Sequence, residues 1–216
     1  MTPILTVDVV LLTLVKDSLH VALFNRERAP FEGGLALPGG FIHADEDKNA
    51  VAVAARVLKQ KTGLVSPYLE ELCTFSGPFR DPRGWSVTLA YYALVPADLL
   101  NEGVQLFPVS AVPALPFDHE EIVETAVARV RNKSGYSSLP AHLCETEFTV
   151  AELHAAYQAL LGEDISMTSF RRKLDELKVL EAVKGKMRMT GSSRPAQLYR
   201  QRKEFTHRLS LSNRSL

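Results

Sequence analysis

Between Leu37 and Leu64 lies the pattern that most restricts how this chain can fold. Leu37-Pro38-Gly39-Gly40-Phe41 leads into three acids, Asp45, Glu46 and Asp47, then a helical stretch from about Lys48 to Lys61 and a closing Gly63. Adjacent glycines allow turns and close backbone approaches that a Cβ would forbid. Val51, Val53, Ala54, Val57 and Leu58 have the spacing of one buried helix face. Asp45 or Asp47 is placed to cap that helix, and Gly63 to stop it.

The flanking sequence reads as strands. Thr6 to Leu14 is apolar and β-branched, Lys16-Asp17-Ser18 is turn-like, and His20 to Asn25 continues apolar, which predicts a β-hairpin. Leu35 to Phe41 reads as a short buried strand broken by its own glycines. Tyr68 to Phe75 and Trp85 to Val95 are strand-like and enclose a glycine-proline loop with Arg80 and Arg83. After the proline-punctuated Pro113 to Phe117, a helix is predicted over His119 to Lys133 with Asp118 as its cap. Glu120, Glu121 and Glu124 lie near its start and Arg129, Arg131 and Lys133 near its end, as the helix dipole favours. Ser134 to Ser138 reads as a linker. Strands alternating with few helices predict an α/β sandwich, a mixed sheet flanked by helices.

Charge separates the two ends of the chain. Residues 1–147 carry 12 Lys and Arg against 18 Asp and Glu, and residues 148–216 carry 13 against 7, so a total charge of zero divides into −6 and +6. An acidic body with a basic, polyanion-seeking tail is the expectation. No apolar run approaches the roughly 20 residues of a spanning helix, and the amino terminus has no basic-then-apolar leader. Cys73 and Cys144 lack metal-ligand spacing and read as buried free thiols.

The basic tail has its own order. Thr149 with Glu152 predicts a capping box, Leu153, Ala156, Tyr157, Leu160 and Leu161 an apolar face, and Gly162 a helix end. Ser166 or Thr168 starts a second helix, with Phe170, Leu174, Leu177 and Leu180 inward and Arg171, Arg172, Lys173 and Lys178 outward. A hairpin follows, with Gly191 to Pro195 at its tip. Helix, short turn, basic helix and hairpin make a winged helix-turn-helix, whose second helix enters the DNA major groove.

The first stretch resembles the Nudix box, a loop-helix-loop that holds divalent metal against a pyrophosphate. Anchored at Gly63, the resemblance puts Arg56 on the motif arginine and Leu58 on its apolar position, but Val57, Gln60 and Lys61 where carboxylates belong. Glu46 keeps its spacing from Gly40, while Gly40 to Gly63 is two residues longer than the motif.

Both halves together resemble the Nudix-related transcriptional regulators of NAD metabolism. The resemblance is carried by the diglycine stretch, Arg80-Asp81-Pro82-Arg83-Gly84, Phe117-Asp118-His119, Phe170-Arg171-Arg172-Lys173-Leu174 and Arg194-Pro195-Ala196-Gln197-Leu198-Tyr199, and spans roughly residues 5 to 200. It implies an ADP-ribose-responsive repressor of NAD biosynthesis or salvage genes that binds a palindromic double-stranded DNA operator as a homodimer. Such a protein would be cytoplasmic and nucleoid-associated, without membrane partners. Residues 1–136 would form the effector-sensing domain and 137–216 the winged domain. With Val57, Gln60 and Lys61 in place of carboxylates, the Nudix domain would be catalytically inactive, with no metal site and no required cofactor.

A sensor without metal must meet two phosphates with fixed cations, and arginine pairs bidentately with phosphate. Arg26, Arg28, Arg80 and Arg83 are the candidates, with Glu46 beside them and Phe75, Phe79 or Trp85 as adenine platforms. Thr168, Ser169, Arg171, Arg172 and Lys173 are the candidates for reading bases, and Lys186, Arg188 and Arg194 for contacts from the wing. The competing reading is an ADP-ribose pyrophosphatase with an unconventional metal site around Glu46 and Glu120 or Glu121.

Overall fold

The computed structural model describes residues 2–65, 68–101, 103–189 and 195–212. The chain packs as two compact units, one of Met1–Thr13 and Leu19–Arg129, the other of Leu14–Ser18 and Val130–Leu216.

Strands β1 (Ile4–Val15) and β2 (Ser18–Asn25) form the predicted hairpin. Lys16 and Asp17 turn it in the left-handed region, at φ 48° and 60°, the combination whose twist suits a tight hairpin. The stretch at 35–41 forms β3 (Leu35–Ala36) and β4 (Gly39–Phe41), then come β5 (Tyr68–Gly77), β6 (Ser86–Leu94) and a short β7 (Gln105–Pro108). The mixed sheet runs β3-β2-β1-β6-β5, with β1 and β6 parallel, β4 antiparallel on β1 and β7 antiparallel on β2. The strand at 105–108 had no expectation in the sequence.

Helix α1 (Ala50–Thr62) follows the diglycine stretch and ends at Gly63, whose φ of 72° is left-handed. Its cap is Asn49, whose Oδ1 accepts from the Ala52 amide at 3.0 Å; neither Asp45 nor Asp47 fills that place, because Asp47 is bound to Arg56. Val53, Ala54, Val57 and Leu58 pack against Val7, Val9, Leu11, Tyr91 and Ala93. Full burial of such an aliphatic side chain stabilises by about 1.5–3 kcal/mol, so this face fixes α1 on the sheet. Helix α2 (His119–Tyr136) is longer than predicted. Ser134, Gly135 and Tyr136 are helical rather than linker, and Ser134 Oγ donates to the Val130 carbonyl at 2.6 Å.

The second unit contains β8 (Phe148–Thr149), α3 (Val150–Leu161), α4 (Met167–Leu177), β9 (Leu180–Arg188) and β10 (Ala196–Gln201), with sheet order β8-β10-β9. Both arms of the capping box are present: the Thr149 amide donates to Glu152 Oε2 at 2.7 Å and the Glu152 amide to Thr149 Oγ1 at 3.2 Å. Of the two candidate caps for α4 it is Ser166 that serves, accepting from the Ser169 amide at 3.2 Å. Phe148, Leu153, Tyr157 and Phe170 fill the core, with Tyr157 edge-on to Phe170 at 5.2 Å. Cys73 and Cys144 are free and half-buried.

Candidate functional site: a cation-lined cleft and a basic helix

The first unit holds a cleft of about 360 Å³ between the end of β2, the diglycine stretch, α1 and the β5–β6 loop. That size falls within the range of small-molecule sites. Six cations line it (Arg26, Arg28, Arg56, Lys61, Arg80, Arg83) against three acids (Asp8, Glu27, Asp81), and Asp47 and Asp118 pair with Arg56 and Arg80 from behind, so the six cations face five carboxylates in all. A positive hollow on an acidic body focuses anions.

These cations differ in how firmly they are held. Arg80 is 8% exposed and forms a bidentate pair with Asp118, Nε to Oδ2 and Nη2 to Oδ1 both at 2.7 Å, with Nη1 on Ser86 Oγ at 3.1 Å. Arg83 grips Asp81 through Nη2 at 2.7 Å and Nε at 3.0 Å. Burial opposes ionisation of Asp81, but the Arg83 hydrogen bonds outweigh it and lower its pKa. Arg56 clamps Asp47 at 2.6 and 2.9 Å and donates to the Phe41 carbonyl at 3.0 Å, and its hydrogen bonds hold Asp47 down at about 2. Arg26 donates to the carbonyls of Pro30 and Arg28, and burial followed by the nearby Arg83 charge lowers its pKa. Among the described residues the carboxylate that Lys61 meets is the exposed Glu27, at 2.7 Å.

His119 and Asp8 form the floor. The Leu37 amide donates to His119 Nδ1 at 3.1 Å, which leaves Nε2 facing Asp8 Oδ1 at 3.7 Å. Burial lowers the pKa of His119 and favours the neutral ring. Asp8 pairs in register with Gly39, and a Cβ on Gly39 would lie 2.1 Å from Asp8 Oδ1, so a larger residue there would force the Asp8 carboxylate to shift. Aromatic rings flank the floor: Arg26 sits 4.8 Å over Phe117, which meets Phe31 edge-on at 5.1 Å, and Arg83 sits 5.3 Å over Phe41.

Of the residues expected to bind an effector, Arg26, Arg28, Arg80 and Arg83 come together in this cleft. Phe75 does not line it: it lies on β5, opposite Thr88, at the far side of the sheet order from β2. Glu46 is also outside it, with a 73% exposed side chain 3.5 Å from His43 Nδ1. Phe79 is 95% exposed and Trp85 43%, and neither reaches the cleft. The aromatic rings that do line the cleft are Phe24, Phe41 and Phe117, none of them among the residues expected there. Arg56 and Lys61 went unassigned as well, although motif spacing put both on the cleft helix.

Val57 is 2% exposed in the sheet-facing core, and its Cγ2 would meet a Cβ on Gly40 at 3.0 Å. Gln60 and Lys61 face the cleft. Among the described residues no group of three or more His, Cys, Asp or Glu is arranged to hold a metal ion, and Glu120 Oε1 is taken by the Leu115 amide at 2.8 Å.

In the second unit Thr168, Ser169, Arg171 and Arg172 are exposed along α4. Lys173 is not: it is 4% exposed, and its Nζ donates to the Gly135 carbonyl at 2.5 Å and lies 5.7 Å over the Tyr157 ring. Its position, three residues after Phe170 and four before Leu177, is on the buried stripe of α4. On the hairpin Lys186 pairs with Glu147 at 2.8 Å. Arg188 joins Glu145 at 3.0 Å and the capping-box Glu152 at 2.8 Å. These three ion pairs would have to yield before the two side chains could meet a polyanion. Arg194 lies outside the described residues.

The sandwich with its box-like loop-helix-loop and the winged helix-turn-helix define the class, a Nudix-type fold joined to a DNA-binding module. Residues 140–201 match the NrtR DNA-binding winged helix domain. The ADPR responsive transcriptional repressor NtrR of Acinetobacter baylyi is 37% identical over 207 residues, covering 92% of this chain and 82% of the relative. Shewanella oneidensis NrtR, in its crystal structure with a 27mer DNA, is similar at a TM-score of 0.90 and 36% identity over 98% of this chain and 99% of that one. The NUDIX domain of the same protein complexed with ADP ribose is similar at a TM-score of 0.55 and 38% identity over 60% of this chain and 90% of that one. An ADP-ribose pyrophosphatase of Methanocaldococcus jannaschii is 33% identical over 116 residues, 51% of this chain and 68% of the relative. The chain belongs to the NrtR family.

Proposed function

We propose that this chain is an ADP-ribose-responsive, DNA-binding transcriptional repressor of NAD biosynthesis or salvage genes, and that its Nudix-type unit binds ADP-ribose without hydrolysing it. The observation that carries this reading is the cleft face of α1. It offers an amide (Gln60) and an ammonium (Lys61) where a Nudix hydrolase needs carboxylates, while Val57 is buried in the core. Mg²⁺ takes hard oxygen ligands, and metal-assisted hydrolysis depends on it to polarise phosphoryl oxygen and activate water. These residues do not fit that ion. The cleft nevertheless gathers six cations, suited to the two charges of a diphosphate.

Thr168, Ser169, Arg171 and Arg172 read bases in the major groove, and Lys186 and Arg188 reach flanking phosphates once their carboxylate partners yield. A twofold-related pair of such modules requires half-sites spaced by whole turns, about 10 base pairs or a multiple. The chain then works in the cytoplasm, on the nucleoid. No helix among the described residues is long and apolar enough to cross a membrane. Support for the effector and for DNA comes from the relatives whose complexes hold ADP ribose and a 27mer DNA.

The pyrophosphatase relative favours a second reading, hydrolysis, which would need metal ligands that α1 does not offer. Two measurements separate them. A mobility-shift titration should show a palindromic operator fragment released by ADP-ribose, and incubation with Mg²⁺ or Mn²⁺ should leave ADP-ribose intact. Turnover in the ordinary enzyme range, about 1–1000 per second, would overturn the sensor reading, as would a DNA complex unmoved by saturating ADP-ribose.

A further inference from the structure

Among the cleft cations, the carboxylate partners sort into two kinds. Asp47, Asp118 and Asp81, which hold Arg56, Arg80 and Arg83, have side chains only 5%, 15% and 4% exposed. Withdrawing any of those arginines would leave a charge stranded in a nearly dry place, which is strongly unfavourable. Glu27, the partner of Lys61, is 74% exposed. An exposed ion pair of this kind contributes little to stability, and water receives the released carboxylate at small cost. Of the cleft cations held by a carboxylate, Lys61 is therefore the one that can change partners most easily, and it projects from the face of α1 that a Nudix hydrolase uses for metal. Its hydrogen bond first, then its charge and that of Arg28, lower the pKa of Glu27, so the carboxylate occupies this spot as an anion.

We propose that Lys61 Nζ takes one phosphate of the diphosphate in place of a divalent cation, and that Glu27 is a built-in competitor which occupies Lys61 until the ligand displaces it. Binding is then an exchange of one anion for another at a fixed ammonium. It needs no metal, and Glu27 sets the ligand concentration at which the exchange occurs. This rests on the reading of the cleft as the ADP-ribose site.

The test is calorimetric titration of the full chain with ADP-ribose in EDTA, for the wild type, K61Q, E27Q and the double variant. Loss of a charged hydrogen bond should weaken K61Q by about tenfold or more. Removing the competitor should tighten E27Q by up to about fivefold, the range of an exposed pair. In the K61Q background the E27Q gain should vanish, and excess Mg²⁺ should leave wild-type affinity unchanged. Circular dichroism checks that the variants are folded, as their rim positions predict. A wild type that does not bind ADP-ribose would remove the reading of the cleft itself. A wild type that binds, beside a folded K61Q that binds equally well, would overturn this inference alone. An E27Q that binds more weakly would overturn it too, by making Glu27 a ligand contact.

Discussion

Replacing Lys173 by methionine should alter how stability depends on pH while leaving DNA affinity almost unchanged. Lys173 is 4% exposed, and burial, opposed in part by the charge of Glu176, brings its ammonium down from 10.5 to about 8. Below about pH 8 the folded and unfolded chains both hold the proton, and this contribution is flat. Above it the unfolded chain binds more protons than the folded one, so stability rises with pH until the unfolded lysine also titrates near 10.5. At roughly 1.4 kcal/mol per pH unit, the rise reaches about 2 kcal/mol by about pH 9.5.

Methionine has no proton to lose, and its flexible apolar chain suits the space over Tyr157. Burial also raises the pKa of Cys144 and Tyr157, but those titrations are common to both proteins and cancel in the difference. Urea unfolding followed by far-ultraviolet circular dichroism, from neutral pH to about 9.5, would measure it. The variant should lack the alkaline rise present in the wild type. Parallel pH profiles would refute the buried-cation argument, and a tenfold loss of DNA affinity in the variant would return Lys173 to the DNA surface.

Arg80→Ala removes the bidentate partner of Asp118 from a site where both side chains are at most 15% exposed. The expected destabilisation is about 3–5 kcal/mol, read as a lower urea midpoint with or without ligand; unchanged stability would make Arg80 a ligand-binding residue with no structural role. Arg172→Ala should cost DNA binding about 1–3 kcal/mol and relax preference at one base pair. Wild-type affinity should fall steeply with salt as counterions are released, and salt-independent binding would remove the phosphate contacts from the account.

What the sequence disclosed was mostly what acts on near neighbours. Thr149 and Glu152 lie three residues apart, and Gly63 and Gly162 end their own helices, so the capping box and both stops could be read directly. The Arg80–Asp118 pair joins residues 38 apart, and nothing in local pattern says which carboxylate a loop arginine will meet. That pairing gives a residue expected to meet phosphate a structural tie as well. Asp47 was expected at the helix cap, but Arg56 claims it and Asn49 serves instead. The strand at 105–108 is too short for a period-2 signal. Lys173 was the legible case that was misread. Its spacing from Phe170 and Leu177 marks the inner face, but three consecutive basic residues suggested one outward cluster.

The close approach of Gly39 to Asp8 bears on how such chains are recognised in genomes. The carboxylate that a side chain at position 39 would displace sits in the floor beside Arg80 and His119, and it makes the same demand whether or not the neighbouring helix can hold a metal. The diglycine is thus a mark of ancestry and architecture. A survey that counts hydrolases by their glycines would enrol regulators such as this one, whereas one that inspects the chemistry at positions 57, 60 and 61 would set them apart.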